Sequence, residues 1–382
     1  MKESRITVAM LWSQYMGDGT SVNELALRLN PDRFRVITLC LTKKGPGPKD
    51  ADRESHNVIY VSEKQKLRAF SLTICWKLLK ILSAEKVDIL HCHRHKASFY
   101  GTLAGIFAGT PVIFSHVHGL GRTRNAGRKL LNFFMFKKVT RVIGCAKSVR
   151  DDVLKNNPSV SSDKVIALEN SVDFERFANV SLTKVQAKSN LGVIPPDAFV
   201  YGTIARFAPN KGHIYLIRAF EKVKERVPSA HLILVGEGRL REMLEAEAAR
   251  TTACQSIHFL GRRADIPKVL RAMDVLVLSS IGSEGMPLVI LEAMSAGVPC
   301  IASLLSGIPE VINSREVGYL VPPKDENALV EAMVKVATMP EQELIKVADN
   351  ARARVRHFYA HEVVVKKLER LYQTEILSCK VR

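Results

Sequence analysis

Short β-rich runs alternate with helical patterns from one end of the chain to the other, and this alternation restricts the fold more than any other feature of the sequence. A strand followed by a helix and a second strand makes a βαβ unit, and a series of such units stacks into a parallel sheet covered on both faces. In the first half the runs expected as strands are Ile6–Leu11, Arg35–Leu41, Val58–Val61, Val87–His91, Val112–Ser115, Arg141–Cys145 and Lys164–Leu168. A second series opens at Phe199–Ala205 and continues through His231–Val235, Ile257–Phe259, Val275–Leu278, Cys300–Ala302 and Gly318–Leu320. Between the two series, residues 170–197 lose their apolar rhythm and carry the pair Pro195-Pro196, which reads as a linker. A length of 382 residues suits two domains at roughly 100–200 residues each. The expected division is 1–175, 176–360 and a helical tail over 361–382. The fold class is α/β, with two Rossmann-like, doubly wound parallel-sheet domains. Sheets of this kind bind ligands at the carboxyl ends of their strands, so a facing pair presents its loops to a cleft.

With 47% apolar and 25% charged residues the composition is that of a globular chain, and disordered or fibrous readings drop out. A net charge of +18 favours an anionic partner. That excess is uneven. Residues 1–180 hold 29 Lys and Arg against 16 Asp and Glu, whereas 181–382 hold 27 against 22, and no acidic residue occurs from Ile89 to Arg150. The seven cysteines are scattered and include no C-x-x-C pair, so neither a disulfide framework nor a zinc ribbon is indicated, and a reducing compartment fits. The apolar run Ile6–Trp12 is too short for a signal-peptide core, and no stretch reaches the roughly 18–20 apolar residues that cross a bilayer. A cytoplasmic protein is expected, one able to lie against the inner face of a membrane.

Chemistry concentrates in Ser283–Ala302, S-E-G-M-P-L-V-I-L-E-A-M-S-A-G-V-P-C-I-A. Pro287 suits the first helical position, which places Glu284 in the loop before a helix and Glu292 inside it. The amides of Gly285, Met286 and Leu288 then face a ligand, and a helix start favours phosphate. Glu292, in the second turn, can accept hydrogen bonds from the paired hydroxyls of a ribose. After Phe199–Ala205, the run A-R-F-A-P-N-K-G puts Arg206 and Lys211 in a tight loop at a strand's carboxyl end, where a guanidinium fork and an ammonium suit a diphosphate. Gly236-Glu237-Gly238 forms another loop at the end of the next strand.

The ordered series R-x4-K-G, L-V-G-E-G, F-L-G-R, the Ser283–Ala302 segment, G-I-P-E-V-I and G-Y-L-V-P-P-K-D resembles the retaining GT-B glycosyltransferases of family 4, also called group 1, of the cell-envelope and surface-polysaccharide type. The resemblance implies an acceptor domain followed by a nucleotide-sugar donor domain, with a last helix that crosses back to the first. It implies that Arg206 and Lys211 hold the donor diphosphate and that Glu292 binds the ribose. Glu284, with Gly285, Met286, Pro287 and Leu288, lies beside the donor sugar and phosphates. Gly236 and Gly238 let the nucleotide approach, and the backbone near Gly261 and Arg262 meets the base. The family's Gly-Gly turn near the diphosphate is replaced here by Gly17-Asp18-Gly19. The segment V-I-F-S-H-V-H-G matches the position of an active-site histidine, which either His116 or His118 can fill; His118 is preferred because Gly119 follows it in the loop.

The run His91-Cys92-His93-Arg94-His95 invites a metal reading, since alternate residues of a strand share a face. No fourth ligand is apparent, and three basic groups crowd the site. His91 and His93, with His116, Arg122 and Arg124, are instead expected to face the acceptor. Asp50-Ala51-Asp52 spells D-x-D away from any nucleotide motif and is treated as chance. With Arg206, Lys211 and the helix amides as the convergent positive groups, no metal and no cofactor is expected. Because Glu292 is committed to the ribose and only Glu284 stands near the sugar, a double displacement lacks its nucleophile; retention by a front-face route follows from the resemblance.

The segment Arg122–Arg141 interleaves cations with Leu130, Leu131, Phe133, Phe134 and Phe136, which suits either an interfacial anchor on anionic lipid or a helix packed on the first sheet. The expected partners are a nucleotide-sugar, UDP-linked by preference, and an anionic lipid-linked, lipopolysaccharide or other surface-glycan acceptor. No nucleic-acid module occurs. The rival readings are a sugar-nucleotide epimerase of the same fold, which needs no acceptor, and a non-catalytic nucleotide-sugar-binding subunit, which shows no turnover.

Overall fold

Every run expected as a strand forms one, most with shifted ends. The computed structural model describes residues 5–14, 21–43, 58–64, 67, 70–123 and 125–381. It divides into two units, one comprising Met1–Ser171 with His361–Arg382 and the other Val172–Ala360. These breaks fall close to the expected ends at 175 and 360.

Among the described residues, the first unit's sheet contains β1 (Ile6–Gln14), β2 (Phe34–Thr42), β3 (Val58–Tyr60), β4 (Ile89–His93), β5 (Val112–Val117), β6 (Arg141–Gly144) and β7 (Val165–Ala167). They pair in parallel in the order β3-β2-β1-β4-β5-β6-β7. Val8, Leu11, Ile89, Leu90, Val112 and Phe114 are fully buried, as strands covered on both faces must be. The helix His361–Val381 belongs to this unit. Its Val364, Leu368, Tyr372 and Ile376 recur every four residues and form one apolar stripe, which packs with Val8, Met10, Phe34 and Phe114. Arg141 Nε donates to Glu375 at 2.6 Å and the Asn30 amide to Glu369 at 2.7 Å, fixing the helix along the sheet.

The second unit's sheet contains β8 (Phe199–Ile204), β9 (Ala230–Val235), β10 (Ile257–Gly261), β11 (Val275–Leu278), β12 (Cys300–Ser303) and β13 (Tyr319–Val321). Its order is β10-β9-β8-β11-β12-β13, again parallel throughout. The stretch read as a linker is not one. It holds the short helices Phe174–Ala178 and Lys184–Ser189, the second started by a full capping box between Thr183 and Gln186. Phe174 and Phe177 are buried, and the first helix packs against the helix Leu288–Ser295. The low apolar density of the stretch hid helices too short to show a period.

Both sheets reverse their chain order at one place, between β1 and β4 and between β8 and β11. Loops leaving two strands at such a point diverge and open a crevice at the strands' carboxyl ends.

Candidate functional site

In the second unit the β8 loop carries Arg206 and Lys211, and the β11 loop carries Ser280 and Glu284, so the reversal point brings these residues together. The amides of Ile281 and Gly282 donate to the Asn210 carbonyl at 2.9 and 3.1 Å, which locks one loop on the other. Lys211 Nζ lies 2.6 Å from Glu284 Oε1, and the Ser280 hydroxyl donates to the same oxygen at 2.6 Å. Glu284 is buried, so it is no solvated loop residue. Gly212 holds φ at 65°, and a Cβ there would stand 2.1 Å from the Ser279 carbonyl oxygen; only glycine lets Lys211 turn into the helix His213–Arg226.

Arg206 is exposed, and its guanidinium meets no partner among the described residues. It lines an open hollow of about 410 Å³ with Phe207, Ala208, Pro209, Asn210 and Arg239. The reading of the sequence missed Arg239. Its signal was its place directly after the G-x-G loop, a second guanidinium beside the first. Gly236 and Gly238 have a packing role as well: Cβ atoms there would stand 2.0 Å from the Ala205 oxygen and 2.3 Å from the Phe207 oxygen, so glycine lets the β8 loop close on this one. Gly261 ends β10 at φ 65°, its carbonyl accepting the Gly236 amide at 2.9 Å, and Arg262 beyond it is exposed.

The helix after β11 spans Leu288–Ser295, with Pro287 as its N-cap rather than its first residue. Its extended ψ of 120° sets the turn into the helix. Among the described residues the amides of Gly285 and Leu288 donate to nothing, whereas the Glu284 amide donates to Ser306 Oγ at 3.3 Å and Met286 is buried. Glu292 lies in the second turn, half-buried, and its carboxyl group makes no hydrogen bond or ion pair among the described residues. Burial pushes its carboxyl up to about 7, with the Arg176 guanidinium pulling the other way. An unpartnered carboxylate held against ionisation is poised to gain hydroxyl donors.

In the first unit, β4 and β5 pair with His93 opposite His116. Residues paired in a sheet share a face, as do residues two apart, so His91, His93, His116 and His118 gather on one side of it. The sequence grouped His116 with His91 and His93; the strand register adds His118 to them. His91 Nε2 meets His116 Nδ1 at 3.1 Å, and His93 Nδ1 meets His118 Nε2 at 3.2 Å. His91 Nδ1 lies 2.6 Å from the Tyr372 hydroxyl, and the Trp12 ring stacks on His93 at 4.1 Å. Burial pulls all four histidines well below the ordinary range, His116 to about 3, so they are neutral at pH 7. His118 is half-buried, whereas the other three are sealed.

Arg94 follows His93 at φ 69°, a left-handed conformation that costs an arginine about 1 kcal/mol or more. Burial, and then repulsion from the Arg122 guanidinium, lower its pKa. The helix Ala126–Lys138 divides the expected amphipathic segment: Asn132, Met135 and Phe136 are buried, while Leu130, Phe133 and Phe134 are exposed with Arg128, Lys129, Lys137 and Lys138. Gly17, Gly19, Arg124, Asp50 and Asp52 lie outside the described residues. No helix among the described residues is long and apolar enough to cross a membrane.

Comparison with known proteins covers both units. The model described as Glycosyltransferase Family 4 matches residues 16–176, and that described as Glycosyl transferases group 1 matches residues 198–339. The UDP-Gal:alpha-D-GlcNAc-diphosphoundecaprenol alpha-1,3-galactosyltransferase of Escherichia coli is 31% identical over 304 residues, 77% of each chain. A glycosyltransferase structure from Rickettsia africae superposes with a TM-score of 0.85 at 21% identity, covering 98% of this chain and 99% of that one. The Anabaena HepE structure in complex with UDP-glucose gives 0.82 at 19%, covering 97% and 100%.

Proposed function

The chain belongs to the family 4, group 1 glycosyltransferases and has their GT-B fold, and on that premise we propose that it moves a hexose from UDP to an anionic, lipid-linked saccharide of the cell envelope, with retention and without a metal ion. The observation that carries this reading is the Lys211–Glu284 pair at the β8/β11 reversal, flanked by the unpartnered Arg206.

Breaking a sugar–phosphate bond leaves a nucleoside diphosphate with growing negative charge, and fixed donors that await that charge lower the barrier without reorganising. Glu284 uses one oxygen to hold Lys211, which leaves the ammonium two further N–H groups for phosphate. Arg206 and Arg239 supply guanidinium forks from the hollow, and the amides of Gly285 and Leu288 add the helix start. Glu292 accepts the ribose hydroxyls as its carboxylate. In this reading His118 takes part in the reaction, and the exposed Arg94 and Arg122 of the same unit serve the acceptor, whereas His91 and His93 are buried and act only through other residues. The UDP-galactose in the name of the E. coli relative and the UDP-glucose bound to the Anabaena protein support UDP as the nucleotide. The diphosphoundecaprenol acceptor of the same relative supports a lipid-linked one.

A lipid-linked acceptor calls for contact with the membrane. The exposed Leu130 and Phe134 among four cations fit an anionic bilayer surface, and the nearby helices Leu72–Ala84 and Arg94–Phe107 add exposed Leu72, Trp76 and Phe107 with Lys77 and Lys80. The protein then works from the cytoplasmic face, where nucleotide-sugars are made.

Transfer from UDP-glucose and UDP-galactose to polyprenyl-diphosphate-linked GlcNAc in excess chelator, with NMR of the product, tests the proposal. An α-linked product from an α-linked donor is expected. An inverted anomeric centre contradicts retention, and an altered sugar nucleotide formed without acceptor identifies an epimerase instead.

A further inference from the structure

The four histidines of the first unit hold eight ring nitrogens, and the partners of these atoms fix where the protons sit. Both nitrogens of His91 are bonded, as are His93 Nδ1, His116 Nδ1 and His118 Nε2. His93 Nε2 and His116 Nε2 are buried without any partner. His118 Nδ1 is left as the one nitrogen of the cluster neither bonded nor sealed, on the half-buried ring.

A buried N–H with no acceptor is rarer than a buried acceptor with no donor. Both sealed Nε2 atoms are therefore bare, and each neutral ring carries its proton on Nδ1. From His93 the Nδ1 proton is donated to His118 Nε2, and from His116 it is donated to His91 Nε2. His91 in turn donates from Nδ1 to the Tyr372 oxygen, whose own O–H points to Met10 Sδ at 3.8 Å. One assignment thus satisfies every contact, including the long one to sulfur. His118 Nε2 accepts, so its proton lies on Nδ1.

We propose that His93 is a positioning residue that fixes His118 in the Nδ1–H tautomer, so that His118 meets its substrate as a neutral hydrogen-bond donor and not as a general base. The inference rests on the placement of His118 at the reaction given above. Trp12 stacked on one side of His93, and His91 on the other at 4.4 Å, keep the donor ring from turning. Burial, with the positive charge of Arg94 at the start of the following helix, opposes a second proton on the His118 ring. A metal is the other use for such a cluster, since one nitrogen from each of His91, His93 and His116 lies within 4.8 Å of the others. The rings are nearly parallel, at 18°, 20° and 38° to one another. In-plane lone pairs of stacked rings run side by side, whereas ligation needs them to converge on a point about 2.0–2.1 Å from each.

Ring 15N spectra of the full-length protein at pH 7 test the assignment, with the His118 signals identified by their loss in His118→Gln. The expected wild-type pattern is a protonated Nδ1 and a bare Nε2. His93→Phe, which keeps an aromatic ring in the stack but donates nothing, should shift His118 toward protonated Nε2, and His93→Asn, which restores an N–H near the same place, should return the wild-type pattern. A wild-type His118 protonated on Nε2, or a pattern unmoved in His93→Phe, overturns the inference. Transfer unchanged in His118→Gln would instead contradict the placement of His118 in the reaction, so the two failures read differently.

Discussion

The two units use the same topological device for opposite electrostatics. In the second, the loops at the β8/β11 reversal gather charge: Arg206 without a partner, Lys211 held by Glu284, and the carboxyl of Glu292 pushed up to about 7. In the first, the strands beside the β1/β4 reversal gather four imidazoles that burial keeps neutral. A charged site answers charge that develops on phosphate, and a neutral one positions without drawing in ions. Under the proposed function, the contrast assigns leaving-group stabilisation to the second unit and orientation to the first.

The sharpest way to break this contrast is to remove a charge from the second unit. Lys211→Ala is expected to lower kcat/KM for the nucleotide-sugar by about 10²–10³-fold, or roughly 3–4 kcal/mol, in steady-state transfer assays. A loss confined to severalfold would move the task of neutralising phosphate elsewhere.

The next effect belongs to Glu292. Its raised pKa means that below about pH 7 it is largely protonated and accepts hydroxyl donors poorly. Donor affinity should therefore rise through pH 6–8 and level off above, and Glu292→Gln should flatten the profile and weaken binding about tenfold, as measured by calorimetry with UDP.

The units should also differ in their response to acid. The four histidines have folded pKa values below their unfolded value near 6.5, so an unfolded first unit takes up protons that the folded one refuses. Its stability is complete above pH 6.5 and falls below it, by up to about 1.4 kcal/mol per pH unit for each histidine kept neutral. Glu292 acts with the opposite sign: raised in the folded state, it favours folding more as pH drops from about 7 toward its unfolded value. Hydrogen exchange at pH 7.5 and 5.5 should show protection lost first in β1, β4 and β5. Equal loss in β8 and β11 would erase the distinction.

Smallest per residue is the surface term. Replacing Lys137 and Lys138 by Glu should weaken binding to phosphatidylglycerol vesicles by about 1 kcal/mol for each lysine lost and leave UDP affinity unchanged.

The strands and the second unit's site were legible in the sequence because each rests on a local pattern. Apolar runs of three to seven residues marked the strands, and Arg206, Lys211, Glu284 and Glu292 sit in short motifs with fixed spacing. What escaped depends on register and on contacts far apart in the chain. The meeting of His91 and His93 with His116 and His118 follows from which residue of β5 lies opposite His93, and Tyr372 reaches His91 from 281 positions away. The need for glycine at 236 and 238 has the same origin, since the Ala205 and Phe207 carbonyls that a Cβ would meet belong to another loop.

The central claim is that the fixed cations of the second unit hold a nucleotide diphosphate unaided. Calorimetric titration of UDP into the full-length protein and into Lys211→Ala, each in excess EDTA, tests it most directly. Binding by the unaltered protein that survives the chelator and weakens at least tenfold in the variant is the predicted result. Binding that vanishes in EDTA and returns only with magnesium or manganese would contradict the account.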